Sequence, residues 1–367
     1  MKIDTVRAIP VSVPFAVDFD VASGGVPAAD HVLVEIETDA GVTGLGEASP
    51  MPFFTGETQE TIVPVIESHL APKLLGVDPS NLHAVHEAMD EIAGNPLAKT
   101  AVDIACHDAV GKALGVSVST LLGGAVRDRI TVGQSIGIKE TERAVADAER
   151  YVDDDGFGSM KIKVGGDPER DLERVKAVMD AVGDRASIRL DGNEGYTADV
   201  AVKQFEAIED YGDILLVEQP VPRDDVPGMH EVTRALSSPV LADESVFSPQ
   251  DALQVVRRRA ADIVNIKLMK AGGLFPARRI ASLARTANMP LAIGSMVEMG
   301  VGTAAGAHFA ACQPHATYPS DVKGPSLLDD TILKEPIRIE DGYTYVPSGN
   351  GLGVEIDSKK VERYQVD

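Results

Sequence analysis

The sequence has no tryptophan, and its aromatic residues make up only 4% of 367 positions. So little aromatic surface gives no indication that bases or sugar rings stack on this protein. Basic residues are also few, 34 against 57 acidic ones, and the formal net charge of −23 argues against nucleic acid and anionic membranes as partners. This acidity is typical either of a surface adapted to concentrated salt, which the run 153–155 favours, or simply of a highly soluble acidic protein.

Cysteine and long apolar runs are equally scarce. The two cysteines, Cys106 and Cys312, lie far apart in apolar stretches, so we expect free buried thiols and no disulfide. The first residues contain early charges and no apolar core of signal-peptide length. No run of apolar residues is long enough to span a membrane, and we therefore expect a cytoplasmic protein without a membrane segment.

The pattern of residues 1–125, strands followed by helices, predicts a small α+β domain. Alternating stretches predict three strands there, at residues 1–14, 31–38 and 42–48. Two loops interrupt this region, at residues 15–30 and 50–58. The second loop contains Phe53 and Phe54, which form either a small satellite core or a lid over a pocket.

From residue 126 to 325, short β-branched runs alternate with amphipathic helical stretches. Eight strands are predicted, at residues 131–138, 160–164, 187–191, 214–218, 240–243, 263–267, 291–295 and 318–321. This β-then-α repeat of about 25 residues predicts a parallel (β/α)₈ TIM barrel, with an open doubly wound sheet as the alternative. No Gly-x-Gly-x-x-Gly turn follows any predicted strand, which argues against the open sheet. Residues 326–367 are too few for a domain and are predicted to return to the N-terminal one.

Lys161 and Lys163 lie two residues apart in the predicted strand SMKIKVG, so both side chains should point to the same face. Each ammonium makes charging the other more costly, and partial burial adds to that cost. We therefore expect at least one of the two pKa values to fall towards neutrality, as a general base requires. The alternative is an edge strand that exposes two solvated lysines.

Three acidic residues stand at or near the ends of successive predicted strands: Asp191 in RLDGNEGY, Glu218 in LLVEQP and Asp243 in LADES. The carboxyl ends of barrel strands converge on one face, where active sites are built. Singly, each residue could form an ion pair or a helix cap, but three buried carboxylates repel one another strongly. A hard divalent cation resolves that repulsion, and Mg²⁺ is the predicted cofactor; no Cys/His cluster suggests zinc.

Lysines flank this predicted metal site, because Lys161 and Lys163 lie on the second strand and Lys267 ends the sixth, across the barrel mouth. A small carboxylate substrate between them could lose the proton next to its carboxylate, with Mg²⁺ stabilising the enediolate charge. One lysine acting as base and the opposite one as acid would invert that carbon.

The motifs K-x-K, D-x-N, VEQP, ADES and NIKLMKAGG, in this order, resemble the enolase superfamily and within it the muconate-lactonizing subgroup. KTAVDIACHDAVGKALG and LLGG resemble that family's capping domain where it leads into its barrel, so the resemblance covers nearly the whole chain. It implies a capping domain at residues 1–125, a catalytic barrel at residues 126–325, and a C-terminal segment at residues 326–367 that joins the cap. It also implies a homo-oligomer.

The resemblance assigns roles to individual residues. Asp191, Glu218 and Asp243 would bind Mg²⁺. Lys163 would be the principal base, Lys161 would lower its pKa and touch the substrate carboxylate, and Lys267 would act on the opposite face. The loops at residues 15–30 and 50–58 would cover the substrate. The predicted substrate-binding residues are Lys161, Asn193, Glu298, Asp321, Phe19 and Phe53.

The segments KLMKAGG and GSMVEMGVGTAAGAHFAA look most like those of dipeptide epimerases, which carry Asp-x-Asp near the last strand. Here Asp321 is followed by Lys323, so Asp321 either binds an amine or pairs with Lys323. Glu298 either orients Lys267 or polar substrate groups, or is an acid at a helix N-terminus.

The resulting prediction is a Mg²⁺-dependent racemase or epimerase of an amino-acid derivative, such as a dipeptide, an N-acyl amino acid or a proline derivative. A lyase of the same superfamily is the first alternative, covering muconate-type cycloisomerases, o-succinylbenzoate synthases and hydroxyproline dehydratases. A non-catalytic Mg²⁺-binding barrel is the second.

Overall fold

The computed structural model describes residues 1–16, 20–21, 24–25 and 27–366. The N-terminal region contains the strands β1 (Ile3–Pro14), β2 (Asp20–Val21), β3 (Gly24–Gly25), β4 (Ala28–Thr38) and β5 (Thr43–Ala48). β1, β4 and β5 form an antiparallel sheet in that order, and β2 pairs with β3. The predicted hairpin turn between β4 and β5 contains Gly41, whose φ of 72° is a conformation that glycine adopts readily.

Helices cover one side of this sheet. They are α1 (Pro52–Thr55), α2 (Gln59–Pro64), a π-helical turn (Val65–Leu70), α3 (Ala71–Leu74), α4 (Leu82–Asp90), α5 (Pro96–Leu114) and α6 (Val118–Leu121). The longest, α5, lies directly on β5. A Cβ atom on Gly46 would stand 1.8 Å from the carbonyl oxygen of Ala101, so this close approach requires glycine.

The second region is a curved sheet of seven parallel strands: β7 (Gln134–Ile136), β8 (Ser159–Lys163), β9 (Ser187–Asp191), β10 (Leu216–Glu218), β11 (Val240–Ala242), β12 (Ile263–Ile266) and β13 (Leu291–Ile293). Neighbours in the sheet follow chain order. Four apolar side chains from the inner faces of four consecutive strands, β10 to β13, form one buried cluster inside the barrel, namely Leu216, Leu241, Ile263 and Ala292. The strands are short and apolar because helices cover their outer faces while these side chains fill the interior.

Two predicted strands differ from the structure. The first barrel strand begins at Gln134, because β6 (Arg129–Thr131) instead pairs antiparallel with β15 (Tyr343–Tyr345). The predicted eighth strand is reduced to single parallel bridges, one between Leu291 and Ala316 and one between Val132 and Ser320. These bridges join the segment to the seventh and first strands, so the barrel still closes.

The barrel helices are α7 (Thr141–Asp153), α8 (Pro168–Val182), α9 (Ala198–Glu209), α10 (Val226–Ala235), α11 (Pro249–Arg258), α12 (Leu268–Ala271), α13 (Leu274–Thr286) and α14 (Gly300–Ala311). Several of these helices begin with an N-cap side chain that accepts hydrogen bonds from the first backbone amides. The side chain of Asp167, for example, accepts hydrogen bonds from the amides of Glu169 and Arg170, and Pro168 occupies the first helical position.

The C-terminal segment contains a 3₁₀ turn (Gly324–Leu327), β14 (Ile339–Glu340), β15 and α15 (Ser358–Tyr364). It returns to the N-terminal sheet, where Gln365 bridges Val11 and the amide of Asp329 donates to the carbonyl of Pro14. The fold prediction, a barrel with an α+β cap that includes the C-terminal tail, is confirmed. Within the described residues, none of the helices combines the length and apolar character that crossing a membrane requires.

Candidate active site

The barrel strands bring the predicted lysines and acids into two layers on the inner face. Lys161 lies beside Arg189 in the register of β8 and β9, and Lys163 lies beside Asp191. Asp191 in turn lies beside Glu218 on β10. Because paired residues of neighbouring parallel strands share a face, Lys163, Asp191 and Glu218 form the layer nearer the mouth.

The three predicted metal ligands, Asp191, Glu218 and Asp243, are almost completely buried. Each contacts a lysine ammonium, and the pairs are Lys163–Asp191 at 2.6 Å, Lys161–Glu218 at 2.8 Å and Lys267–Asp243 at 2.6 Å. No three Asp, Glu, His or Cys side chains of the described residues form a ready metal cluster. Each carboxylate is oriented towards its lysine instead.

Several oxygen atoms at this site nevertheless lack hydrogen-bond donors. Among the described residues, buried oxygens without a hydrogen bond include Asp243 Oδ2, Glu244 Oε2 and Asn265 Oδ1; Asp243 Oδ2 has only its ion pair with Lys267. Burial and the neighbouring Asp191 raise the pKa of Glu218 to about 7. Burial and Asp243 raise the pKa of Glu244 to about 8. Oxygen atoms without donors, beside acids whose burial and mutual repulsion raise their pKa values, suit a hard cation such as Mg²⁺, so the residues fit the predicted cofactor.

The environment of Lys161 corrects one expectation. Its side chain is buried, and burial alone would lower its pKa. However, Asp321 at 2.5 Å, Glu218 at 2.8 Å and Asp191 at 3.8 Å outweigh burial and raise the pKa above its usual value. The predicted fall of at least one of the two pKa values towards neutrality therefore does not occur at Lys161, because carboxylates surround its ammonium more closely than cations do.

Lys267 lies on the opposite side of the mouth, since three strands separate β8 from β12 in the sheet. Burial lowers its pKa, but Asp243 and Glu244 more than compensate, and the pKa is raised overall. Lys270, one turn along α12, donates to the other oxygen of Asp243 at 2.6 Å. Asp243 therefore orients two lysines at once.

The loop at residues 50–58 was predicted to cover the site with Phe53, and the structure corrects the residue. Phe53 is 54% exposed, whereas Phe54 is buried and its ring centroid lies 4.5 Å from Lys267 Nζ. Phe54 also stacks on Phe247 at 5.5 Å. The single turn of α1 directs only one of the two rings inwards, and the inward one is Phe54. Phe19 lies outside the described residues.

Arg223 holds this lid segment from the barrel side. Its guanidinium donates to the carbonyl of Phe54 at 3.2 Å and forms two bonds to Glu194, at 2.9 and 2.6 Å. It also lies over the rings of Phe54 and Phe247. The cap loop is thus tied to the barrel loops next to Lys267.

Asn193 connects two charged groups of the site. Its side-chain oxygen accepts from Lys163 Nζ at 2.6 Å, and its amide nitrogen donates to Glu244 at 2.9 Å. Its φ of 40° is left-handed, which asparagine tolerates better than most residues. Asn193 therefore orients the predicted base.

Glu298 is buried in the loop after β13, where its carboxylate accepts from the hydroxyl of Ser295 and from the amide of Met296. Burial raises its pKa. The two amides at the start of α14, those of Met299 and Gly302, bind Glu47 of the cap instead. Glu298 thus shapes its own loop and does not cap this helix.

Asp321 accepts from Lys161 at 2.5 Å and from Arg189 at 2.9 Å. No ion pair joins it to Lys323 among the described residues, so the second of the two alternatives, an Asp321–Lys323 pair, is wrong. Arg189 and Lys161 are closer partners and take both carboxylate oxygens.

Four side chains at the site escaped prediction: Arg189, Glu244, Asn265 and Lys270. The first could have been found by alternation, because Arg189 stands two residues before Asp191 on the same strand face. Asn265 stands likewise two residues before Lys267 and donates to Glu218 at 3.2 Å. No comparable signal marks Glu244 or Lys270, which follow the strands in loops and in a short helix.

Comparison with known proteins agrees with this architecture. Residues 3–123 match the family model of the mandelate racemase / muconate lactonizing enzyme N-terminal domain, and residues 143–360 match the enolase C-terminal domain-like model. The chain is 34% identical to a chloromuconate cycloisomerase of Cupriavidus necator, over 99% of either chain.

Two solved structures are similarly close. The dipeptide epimerase of Enterococcus faecalis V583, complexed with Mg and the dipeptide L-Leu-L-Tyr, has a TM-score of 0.92 and 38% identity, covering 97% of this chain and 100% of that one. The N-succinyl Arg/Lys racemase of Bacillus cereus ATCC 14579 has a TM-score of 0.96 and 31% identity, covering 100% of this chain and 99% of that one.

Proposed function

The chain belongs to the mandelate racemase / muconate lactonizing enzyme family of the enolase superfamily, and on that premise we propose that it is a Mg²⁺-dependent racemase or epimerase. Its substrate would be a carboxylate, specifically an amino-acid derivative, from which it removes the α-proton. Members of the superfamily bind a divalent metal, and the E. faecalis structure contains Mg. Cycloisomerases and epimerases resemble the chain to similar degrees, so sequence identity does not separate the two activities, and the proposal rests on the site.

Asp191, Glu218 and Asp243 would hold the metal, because they are buried at the ends of three successive strands, and that burial, with the neighbouring Asp191, Asp243 and Asp321, raises the pKa of Glu218. Bound there, Mg²⁺ would supply the positive charge that stabilises negative charge developing on the substrate carboxylate. Binding would also offset the mutual repulsion of the acids, which would leave their lysines less tightly paired.

The lysines would carry the protons. Lys161, buried below the acids, would donate to the substrate carboxylate. Lys163 Nζ, oriented by Asn193, would take the α-proton on one face of the substrate. Lys267 Nζ, oriented by Asp243, would deliver a proton to the opposite face, and the configuration of the carbon would invert.

One observation carries this proposal: a lysine ammonium faces the acids from each side, Lys163 on β8 and Lys267 at the end of β12. Inversion needs a proton carrier on both faces, whereas elimination or ring closure needs only one main base. Phe54 supports the same function, because its ring covers Lys267 and helps exclude water from that side.

A cycloisomerase is the second candidate, since the muconate-type relative matches this chain end to end. The same acids and lysines would serve it, with one lysine transferring the proton. The substrate would then close into a ring without inversion at an α-carbon.

The test is α-proton exchange in D₂O with the Mg²⁺-loaded protein. Both antipodes of N-acyl amino acids, dipeptides and proline derivatives would be followed by proton NMR and chiral chromatography, and cis,cis-muconate by its absorbance. We expect deuterium to enter both antipodes of one substrate class, together with inversion. Lys163→Ala and Lys267→Ala should each abolish inversion, while Lys334→Ala, at an exposed lysine paired with Glu355, should not.

Exchange in only one antipode, accompanied by ring closure or loss of water, would overturn the racemase proposal in favour of a lyase. Magnesium binding without exchange in any carboxylate would indicate the non-catalytic barrel. Cytoplasmic location and homo-oligomeric assembly stay predictions.

A further inference from the structure

The loop that follows Lys163 is held by a buried carboxylate of the next helix. Residues 164–167 connect the end of β8 to α8, and Asp171 lies in the first turn of that helix. Its Oδ2 atom accepts hydrogen bonds from the amides of Gly165 and Gly166, each at 3.0 Å. Because Asp171 is only 1% exposed, solvent does not compete for these bonds. The carboxylate therefore fixes the backbone immediately beyond Lys163.

Asp171 also binds the neighbouring barrel loop, which follows β9. The hydroxyl of Tyr196 in that loop donates to Asp171 Oδ2 at 2.7 Å and accepts from the amide of Gly165 at 2.9 Å. The same loop carries Asn193, whose side-chain oxygen accepts from Lys163 Nζ. Asp171 therefore joins the loop that follows Lys163 to the loop whose asparagine orients its ammonium.

Arg174 connects these loops to the main chain of Lys163 itself. It lies one turn along α8 from Asp171, and its Nη2 atom donates to the carbonyl of Lys163 at 2.9 Å and to Asp171 Oδ1. Arg174 is almost completely buried, as is Asp171. Moving either side chain would leave an unpaired charge away from water, so the pair holds its geometry firmly. The last carbonyl of β8 is thereby tied to the helix that follows it.

Asp171, Arg174 and Tyr196 are called the Asp171 network below. Its contacts lie on one side of the barrel mouth. On the other side, Lys267 is oriented by Asp243, which pairs with its ammonium at 2.6 Å. Three strands separate β8 from β12, so the two lysines have separate supporting structures.

A lysine that exchanges a proton with carbon must be placed closely, because a misplacement of about 1 Å can cost about 100-fold in rate. We propose that the members of the Asp171 network are positioning residues for Lys163. They fix its main chain and the loop of Asn193, so that its ammonium meets the α-proton on its own face of the substrate. The inference rests on the proposed function and deepens it, because it assigns one of the two faces its own support.

The experiment measures α-proton exchange in D₂O separately for each antipode, with the Mg²⁺-loaded protein. Lys163→Ala identifies the antipode whose exchange depends on Lys163. We expect Arg174→Met to slow exchange of that antipode by about 10- to 100-fold and to leave exchange of the other antipode unchanged. Inversion should slow in both directions, because it needs both lysines. Arg174→Lys keeps the charge next to Asp171 and should recover part of the lost rate.

Tyr196→Phe is the milder variant, because it removes one hydroxyl and keeps the ring that contacts Phe205. It should slow exchange of the same antipode by about 2- to 10-fold, as for one hydrogen bond. Tyr211→Phe is the matched control. The hydroxyl of Tyr211 donates to Asp180 at 2.6 Å, but Tyr211 follows α9 at the opposite face of the barrel. This control should leave both antipodes unchanged.

Crystal structures of the unaltered protein and of Arg174→Met test the placement of Lys163 without turnover. We expect Lys163 Nζ to shift by about 0.5 Å or more in the variant, and its 2.6 Å contact with Asn193 Oδ1 to lengthen. The 2.6 Å contact between Lys267 and Asp243 should be unchanged.

Equal losses of exchange in the two antipodes would show a general effect on the fold and would overturn the inference. An unmoved Lys163 in the variant structure would overturn it as well. The proposed function fails separately, if the unaltered protein exchanges neither antipode or closes a ring instead. In that case the two crystal structures decide the role of the Asp171 network without reference to inversion.

Discussion

This molecule contains two groups of carboxylates that are equally buried but contact different kinds of group. In the cap, Glu47 accepts from the amides of Met299 and Gly302, at 2.6 and 2.8 Å. At the barrel mouth, Asp191 and Glu218 face lysine ammonium groups. Backbone amides keep a fixed geometry, whereas lysines can change partner and protonation state.

Two further buried carboxylates of the cap, both on α5, also accept hydrogen bonds from the amides of distant segments. Asp103 accepts from the amides of Leu274 and Phe275 at the start of α13, and Asp108 accepts from those of Leu45 and Leu352. Each thus joins the cap helix α5 to a distant part of the chain. Asp108 also pairs with Lys112 at 2.6 Å. The comparison teaches that a buried acid that accepts from the amides of distant segments holds elements together, even where a lysine also contacts it. A cluster of buried acids whose partners are mainly lysines, with oxygens left unsatisfied, marks chemistry.

The largest expected effect concerns the lysines that face the acids at the barrel mouth. Lys163→Ala and Lys267→Ala should each lower the rate of inversion by about 10³- to 10⁴-fold, because each removes a proton carrier. Neither should lower the melting temperature by much, since among the described residues both ammonium groups contact side chains and no backbone group. Exchange kinetics and thermal melting of the same samples check both parts. A large loss of stability with little loss of rate would contradict the distinction between the two groups.

Asp103→Ala tests the cap group. The change leaves two helix amides and two histidines, His86 and His107, without their partner. We expect the free energy of unfolding to fall by about 3–5 kcal/mol, measured by urea denaturation. Well below the melting temperature, the exchange rate should remain close to that of the unaltered protein. A selective loss of rate without loss of stability would show that Asp103 also serves the chemistry.

Magnesium and pH should affect stability through the acids at the barrel mouth and not through those of the cap. The pKa values of Glu218 and Glu244 are raised in the folded protein to about 7 and about 8, so the metal-free fold holds protons that the unfolded chain releases. Their contribution to stability is therefore lost as the pH rises from about 4.5 towards 8. Added Mg²⁺ should raise the melting temperature more at pH 8 than at pH 5.

Scanning calorimetry with MgCl₂ or with EDTA checks this expectation. Glu218→Gln removes one acid of the mouth group and should reduce the Mg²⁺ response. An equal response at both pH values would indicate that the metal does not bind at these acids.

The smallest expected effect concerns the lid. Phe54→Ala removes the ring over Lys267, a contact worth about 0.5–2 kcal/mol, and should lower kcat/KM about 3- to 30-fold. The neighbouring Phe53→Ala is the matched control, because that ring is mostly exposed. Steady-state kinetics of the two variants decide which phenylalanine covers the site. A larger loss in Phe53→Ala would reverse the assignment.

Much of the site could be predicted from the positions of charged residues along the sequence. The acids Asp191, Glu218 and Asp243 and the lysines Lys163 and Lys267 stand at the ends of β-branched runs, and barrel geometry brings such ends together. Whether Phe53 or Phe54 points towards the site depends on the orientation of one helical turn, and two adjacent identical residues do not reveal that orientation. The raised pKa of Lys161 depends on how many carboxylates surround it, and Asp321 lies 160 residues away in the chain. The high-salt interpretation of the acidity stays a prediction.

The sequence by itself determined the architecture and the inventory of groups, because hydrophobic periodicity and strand-end polarity are local properties that survive without knowledge of distant contacts. Only the tertiary structure decided which acids hold the fold and which face lysines. Asp103 accepts from an amide 171 residues away, whereas Asp191 contacts Lys163 on the neighbouring strand. The tertiary structure also decided the partners of Asp321: Arg189 and Lys161 contact its two oxygens, and within the described residues no acid forms an ion pair with Lys323. Such partner choices depend on distances between remote segments, and no local pattern encodes them.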